Sequence, residues 1–236
     1  METKIEEINL LEKKIESYGK TMVDGAIDNE EYLKSKYRIA WFLKESYADE
    51  NEENPQYYRS LFTANNLYED FFKNVARPTW HPIIYISYSI LNGFKTWQEL
   101  DYIRENNDMC NVIKNIAIIN ANKHYSLTGT WTDDNNLYDG FKKFEKILRK
   151  QIHLLEPNIL IFGNTFYLFK DFFEINDTHK INDLSEDGLL HTYLKDGKIF
   201  LDAYHPASRK RNYINSIINA VKNLNEKVSL LNSSKP

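Results

Sequence analysis

The sequence predicts a three-layer αβα fold of the α/β class, built on a central four-stranded, mainly parallel sheet. Two observations carry this. Short apolar, β-favouring runs lie at 37–43 (YRIAWFL), 112–119 (VIKNIAII), 159–162 (ILIF) and 199–204 (IFLDAY). Stretches with helical periodicity separate them, and strands that alternate with helices form parallel sheets covered on both faces.

Residues 4–19 place Ile5, Ile8, Leu11 and Ile15 at helical spacing, and Gly19 is a natural stop. They open an N-terminal helical extension over 1–36. The first strand, 37–43, runs into an acidic loop. Residues 56–76 and 81–105 read as helical and rich in aromatics, with breaks at Arg77-Pro78 and Asn92-Gly93. The second strand, 112–119, ends on Asn120. A polar loop leads to a helix over 137–155, and Pro157-Asn158 resets the chain before the third strand, which ends on Gly163. A helix is expected over 165–173, and 189–194 reads as an edge strand. The fourth strand is closed by His205-Pro206. The last helix, 209–226, turns Ile214, Ile217, Ile218, Val221 and Leu224 to one side, and 229–236 reads as a frayed tail. No internal repeat or low-complexity linker divides the chain, so one domain over 1–236 is expected.

Composition narrows the function. Hydrophobic residues make up 42% and charged residues 27%, which fits a globular protein with a core. The 14% of aromatics either line a groove or reflect codon bias toward Asn, Ile, Lys, Tyr and Phe. The single cysteine, Cys110, excludes an internal disulfide, a zinc ribbon and a four-cysteine cluster. Met1 leads into a charged segment without signal-peptide character, and no apolar run reaches bilayer-spanning length, so a cytoplasmic protein without membrane contact is expected. His124, His153, His179 and His191 lack metal-ligand spacing with carboxylates. The 8 glycines form no phosphate-cradling loop and no Gly-x-Ser-x-Gly elbow. No metal or cofactor is expected.

The net charge of −4 announces no nucleic acid, but its distribution is uneven. Ala203 to Lys222 holds Arg209, Lys210, Arg211 and Lys222 and no acid, whereas Glu45 to Asn54 holds five acids and no base. A local basic loop can hold phosphates on a protein that is acidic overall. In doubly covered sheets the ligand sits beyond the carboxyl ends of the strands. That rule directs attention to Lys44–Tyr47, Asn120, Gly163-Asn164 and Tyr204-His205.

At those strand ends stand FLKESY (42–47), AIINAN (117–122), PNILIFGNT (157–165) and FLDAYHPAS (200–208), in that order. The series resembles the uracil-DNA glycosylase superfamily over roughly residues 37–225. Members carry a water-activating motif after the first strand, an Asn ending the second, a Gly ending the third and a His-Pro-Ser-type loop after the fourth. The chain departs from that pattern with Lys44 for Gly, Ser46 for Asp or Asn, Tyr47 for Pro and Ala207 for Ser. Arg209-Lys210-Arg211 stands where an intercalating Leu often follows. The resemblance implies a monomeric DNA glycosylase that needs no cofactor and acts on double- or single-stranded DNA. Its substrate would be uracil or a modified pyrimidine. The divergent motif favours bases other than uracil, among them bulky phage bases such as glucosylated hydroxymethylcytosine.

The chemistry has its own requirements. Breaking an N-glycosidic bond develops positive charge on the sugar and negative charge on the leaving base. A donor aimed at the base, a carboxylate near the sugar and a held water answer these needs. His205 suits the first role and Glu45 the other two. Asn120 offers a donor and an acceptor together, as reading a pyrimidine edge requires. Tyr47, Tyr57, Tyr58 and Phe62 are equal candidates for stacking on the base, with Tyr47 and Asn120 named for base recognition. Ser208, Arg209, Lys210, Arg211 and Tyr213 are the expected DNA contacts, with one long side chain or Tyr213 filling the vacated stack. Plainer roles stand beside these: a helix-start histidine, a solvated acidic loop, a strand-end turn at Asn120, a tight turn at Gly163-Asn164 and a solvated basic helix start. Two other readings remain open, a nucleic-acid-binding protein that kept the fold without the chemistry, and an α/β protein with chance motif similarity.

Overall fold

The computed structural model describes residues 1–48, 52–63, 66–126, 132–181, 190–208 and 212–233. Helix α1 (Glu2–Glu16) buries Ile8, Leu11 and Ile15 of the stripe expected from its spacing, and Ile5 is half-buried. Strands β1 (Met22–Val23) and β2 (Gly25–Ala26) lead to α2 (Asn29–Lys34). Asp28 caps α2 by accepting from the N–H groups of Glu30 and Glu31 at 3.0 and 3.1 Å. Then come β3 (Ile39–Leu43), β4 (Gln56–Tyr57), α3 (Tyr58–Leu61) and α4 (Arg77–Leu91). A 3-10 helix, Asn107–Asn115, precedes β5 (Ala117–Asn120). The rest is α5 (Asp134–Leu155), β6 (Ile159–Gly163), α6 (Phe166–Phe169), β7 (Lys180–Ile181), β8 (Leu190–Lys195), β9 (Lys198–Ala203) and α7 (Tyr213–Ser233).

The main sheet runs β2-β5-β3-β6-β9-β8-β7. Its centre, β5-β3-β6-β9, is parallel throughout, and its margins are antiparallel. Alternation along β3 shows why both faces are covered. Ile39, Trp41 and Leu43 enter one apolar core, while Ala40 and Phe42 enter the other. The first core is closed by α4, α7 and the 3-10 helix, the second by α1, α5 and α6. Trp41 fastens β3 to α4 by donating its indole N–H to Ser87 Oγ at 3.1 Å.

Among the described residues the sheet has seven strands, where four were expected. The four apolar runs are the parallel centre, and both of its outer strands find further partners. The two-residue β2 pairs with β5, so the N-terminal extension is not purely helical. On the other side β8 and β9 form a hairpin whose turn residues, Asp196 and Gly197, both take positive φ (51° and 72°). Because β7 pairs outside it, β8 is interior rather than an edge.

Boundaries moved where periodicity is ambiguous. Residues 112–115 belong to the 3-10 helix, so the second strand starts at Ala117. The expected helix over 56–76 is broken into β4, α3 and a π-helical turn at Tyr68–Phe72, around Tyr58, Phe62, Phe72 and Trp80. The 81–105 helix starts earlier and stops at Leu91, with Gly93 at φ 90° just beyond. Helix α6 covers only Phe166–Phe169. Helix α7 continues to Ser233, past the point where fraying was expected. No described helix is long and apolar enough to cross a membrane.

Candidate active site

Strands β3 and β5 end side by side, with Leu43 paired to Asn120. Asn120 is fully buried. Its backbone N–H donates to Asp24 Oδ2 at 2.6 Å and its Nδ2 to the Tyr58 hydroxyl at 3.3 Å. Asn120 Oδ1 is buried without a hydrogen-bond partner among the described residues. Asp24 is held in turn by Lys123, whose Nζ lies 2.7 and 2.9 Å from the two carboxylate oxygens. Gln151 closes the group, accepting from Lys123 Nζ at 2.8 Å and donating to Asp24 Oδ1 at 2.9 Å. Burial lowers the lysine pKa, and the aspartate opposes that shift. A buried pair of this kind is tolerable only because every charge has close partners.

Beyond the strand ends the two chains stay together. Ala121 N–H donates to Leu43 O at 2.8 Å, Asn122 N–H to Lys44 O at 3.0 Å, and Ser126 N–H to Ser46 O at 2.8 Å. This fixes the segment carrying Glu45. Asn122 Nδ2 donates to Glu45 Oε2 at 3.4 Å, and Asn122 Oδ1 accepts from His124 N–H at 3.1 Å. A β-carbon on Gly140 of α5 would lie 2.2 Å from Asn122 Cγ, so only glycine there leaves room for the amide. Burial raises the Glu45 pKa; hydrogen bonds from Asn122 and Thr132 and the charge of Lys44 oppose the shift, and Asp133 reinforces it. A cleft of about 430 Å³ opens at Glu45, with Asn122, His124, Asp133, Asp139 and Lys143 among its walls. Asn120 and His205 do not line it.

The fourth strand end is brought close by a glycine. A β-carbon on Gly163 would meet Leu43 Cδ2 and Pro206 Cδ, each at 3.0 Å. The His205-Pro206 turn therefore packs almost onto the end of β3. Within it, Ala207 N–H donates to His205 Nδ1 at 3.2 Å, and Ser208 N–H donates to His205 O at 2.8 Å. An Nδ1 that accepts assigns the ring proton to Nε2. Burial lowers the His205 pKa and the nearby positive charge of Lys44 lowers it further, so the ring is a neutral donor at pH 7. Lys44 itself is paired with Asp134 at 3.4 Å. Its positive charge opposes the rise of the Glu45 pKa and adds to the lowering of the His205 pKa.

The other expected site residues fall differently. Tyr47 is 44% exposed and bridges to Ser126. Tyr57 turns toward Glu16 of α1, while Tyr58 and Phe62 are built into the core with Trp80. Of the four stacking candidates, only Tyr47 faces solvent at this edge. Tyr213 is not available to fill a DNA stack. It is 5% exposed, and its hydroxyl donates to Tyr204 O at 2.7 Å, bracing the residue before His205. Ser208 Oγ is likewise buried. Arg209, Lys210 and Arg211 lie outside the described residues.

Several residues that build this edge were missed from the sequence. Asp24 and Lys123 sit 99 residues apart and carry no local pattern. Asn122 had a signal, the glycine at position 140 inside an otherwise amphipathic helix. Among the described residues no three His, Cys, Asp or Glu side chains group as metal ligands. Comparison of the sequence with protein-family models and with curated proteins finds no match.

Proposed function

We propose that the chain hydrolyses the N-glycosidic bond of a pyrimidine-type base flipped out of DNA. The observation that carries this is that one edge of the parallel sheet presents both a His205 ring whose Nδ1 accepts from Ala207 N–H, leaving Nε2–H to donate, and a half-buried carboxylate on Glu45. The C1′–N bond breaks with its electron pair moving to the base, and His205 Nε2–H hydrogen-bonds the oxygen on which that charge collects. Lys44 adds positive charge on the same side. Glu45 accepts a proton from the attacking water as its oxygen bonds to C1′, and the raised pKa makes this carboxylate a stronger base than a solvated one. The proton then passes to the released base, leaving an abasic sugar.

Asn120, expected to read the base edge, is fully buried and outside the Glu45 cleft, so it braces this edge through Tyr58 and Asp24 rather than touching the base. Tyr47, exposed at the same edge, stacks on the base. The substrate is uracil or a modified pyrimidine, the latter including bulky phage bases such as glucosylated hydroxymethylcytosine.

One feature favours a second reading, a DNA-binding protein without catalysis. Lys44 and its partner Asp134 stand beside Glu45 in place of the glycine that the superfamily pattern has there. The test is to incubate the protein with uracil-containing, unmodified and phage-modified DNA and to assay free base and abasic sites. Release from one of them supports the hydrolase; binding with no release from any supports the second reading.

A further inference from the structure

A lysine of α5 shares the cleft that opens at Glu45. Lys143 stands about one helical turn beyond Gly140, and both line that cleft. A contiguous set of contacts runs from the carboxylate to the amine. Asn122 Nδ2 donates to Glu45 Oε2 at 3.4 Å, Asn122 Oδ1 accepts from His124 N–H at 3.1 Å, and Lys143 Nζ lies 2.8 Å from His124 Nε2. An ammonium can only donate, so Nε2 accepts and the ring proton sits on Nδ1, 3.3 Å from Lys20 O. Burial lowers the His124 pKa and the charge of Lys143 lowers it further, against hydrogen bonds to Lys20 and Gly19. The ring is therefore neutral at pH 7 and able to take a proton. The amine is exposed and held over the Tyr18 ring at 5.6 Å. It has no carboxylate partner among the described residues, whereas Lys44 and Lys123 pair with Asp134 and Asp24. A solvent-facing amine bonded to a neutral imidazole is the arrangement of a nucleophile with its base.

We propose that the Lys143 amine attacks the C1′ aldehyde of an abasic sugar in this cleft, so that the chain also cuts DNA at abasic sites. The inference rests on the base-releasing reading for placing the sugar at Glu45. Lys143 passes one proton to His124 Nε2, and its lone pair forms the N–C1′ bond. The carbonyl oxygen takes one proton from Nζ and one from the imidazolium and leaves as water, giving an iminium and a neutral His124. Glu45 then takes a C2′ proton. The electron pair of that C–H bond shifts through the iminium and expels the 3′ phosphate as the C3′–O bond breaks. Water hydrolyses the conjugated iminium and restores the lysine.

The test gives the full chain an oligonucleotide that already carries one aldehydic abasic site, so that no base has to be released first. Sodium borohydride reduces the iminium to an amine and fixes the protein to the DNA, and peptide mapping locates the bond. Wild type is expected to form this adduct at Lys143 and, without borohydride, to cut the strand on the 3′ side of the site. Lys143→Arg keeps the charge but loses both, because a guanidinium is not a nucleophile. His124→Ala slows adduct formation by about a hundredfold, the loss of one general base. Lys142→Arg, on the neighbouring exposed position, forms the adduct as wild type does. No adduct with wild type, an adduct that maps to another lysine, or an adduct undiminished in Lys143→Arg overturns the inference. Base release from uracil-containing and modified DNA is scored separately. A Lys143 adduct without base release from any DNA upholds the inference and rejects the hydrolase; base release without the adduct does the reverse.

Discussion

The side chain of Asn122 occupies the space that a β-carbon on Gly140 would take, 2.2 Å from Asn122 Cγ. A mid-helix glycine costs about 1 kcal/mol against alanine, so its presence in α5 needs a reason. The amide it admits is the one that donates to Glu45. Gly140→Ala should displace Asn122 and loosen Glu45, lowering base release by up to about a hundredfold, the scale of a 1 Å misplacement at a reacting centre. Single-turnover rates compared with the melting temperature separate this from general unfolding. A stable Gly140→Ala protein with wild-type turnover would detach Asn122 from the chemistry.

The Asp24–Lys123 pair is fully buried, and removing one partner leaves an uncompensated charge. Lys123→Met is expected to cost about 3–5 kcal/mol of stability. Denaturant titration measures it. A loss under about 1 kcal/mol would mean that Asp24 finds another partner and that the Asn120 anchor is weaker than its distances imply.

In the proposed mechanism Glu45 acts as a carboxylate, and burial raises its pKa above the ordinary 4.5. Activity is therefore full above the raised value and falls as pH drops through it, so the acid limb of the rate profile lies above the range of a solvated glutamate. His205, with its pKa lowered from 6.5, stays neutral through neutral pH and does not bring a limb there. Asn122→Ala removes a hydrogen bond that lowers the Glu45 pKa and should move the acid limb further up. An acid limb at or below the solvated carboxylate value would sink the general-base role.

The basic run Arg209-Lys210-Arg211 is expected to hold phosphates. Neutralising all three should weaken duplex binding and flatten its salt dependence by up to about three log-log units, roughly one per lost contact. Single-stranded DNA, with no vacated stack, should respond less. Normal duplex binding and cleavage by the triple variant across a salt series would make the run a solvated helix start.

Local pattern accounts for much of this fold. The runs ending at Leu43, Asn120, Gly163 and Ala203 are apolar enough to be read as covered strands, and all four end at one edge. What escaped is non-local. Two-residue strands such as β2 and β7 have no periodicity, and their pairing is decided by which edge they meet. Residues 112–115 are as apolar in a 3-10 helix as they would be in a strand. Strand-end position directed attention to Glu45, Asn120 and His205, of which only Glu45 lines the cleft at this edge. The residues that hold them, Asp24, Asn122, Lys123 and Gly163, matter through contacts that only the folded chain makes. Tyr213 was misread because proximity in sequence to a basic run says nothing about which way a ring turns.

His205 and Glu45 are proposed to act on one glycosidic bond, and base release by three proteins on one substrate tests this. Wild type, His205→Ala and Glu45→Ala are given the DNA from which wild type frees a base, and free base and abasic sites are counted under single-turnover conditions. Each substitution is expected to slow release by about a hundredfold or more, the usual loss when one preorganised transition-state stabiliser is removed, with DNA affinity little changed. Release at near wild-type rates by either variant, or no release by wild type from any modified or uracil-containing DNA, would contradict the account.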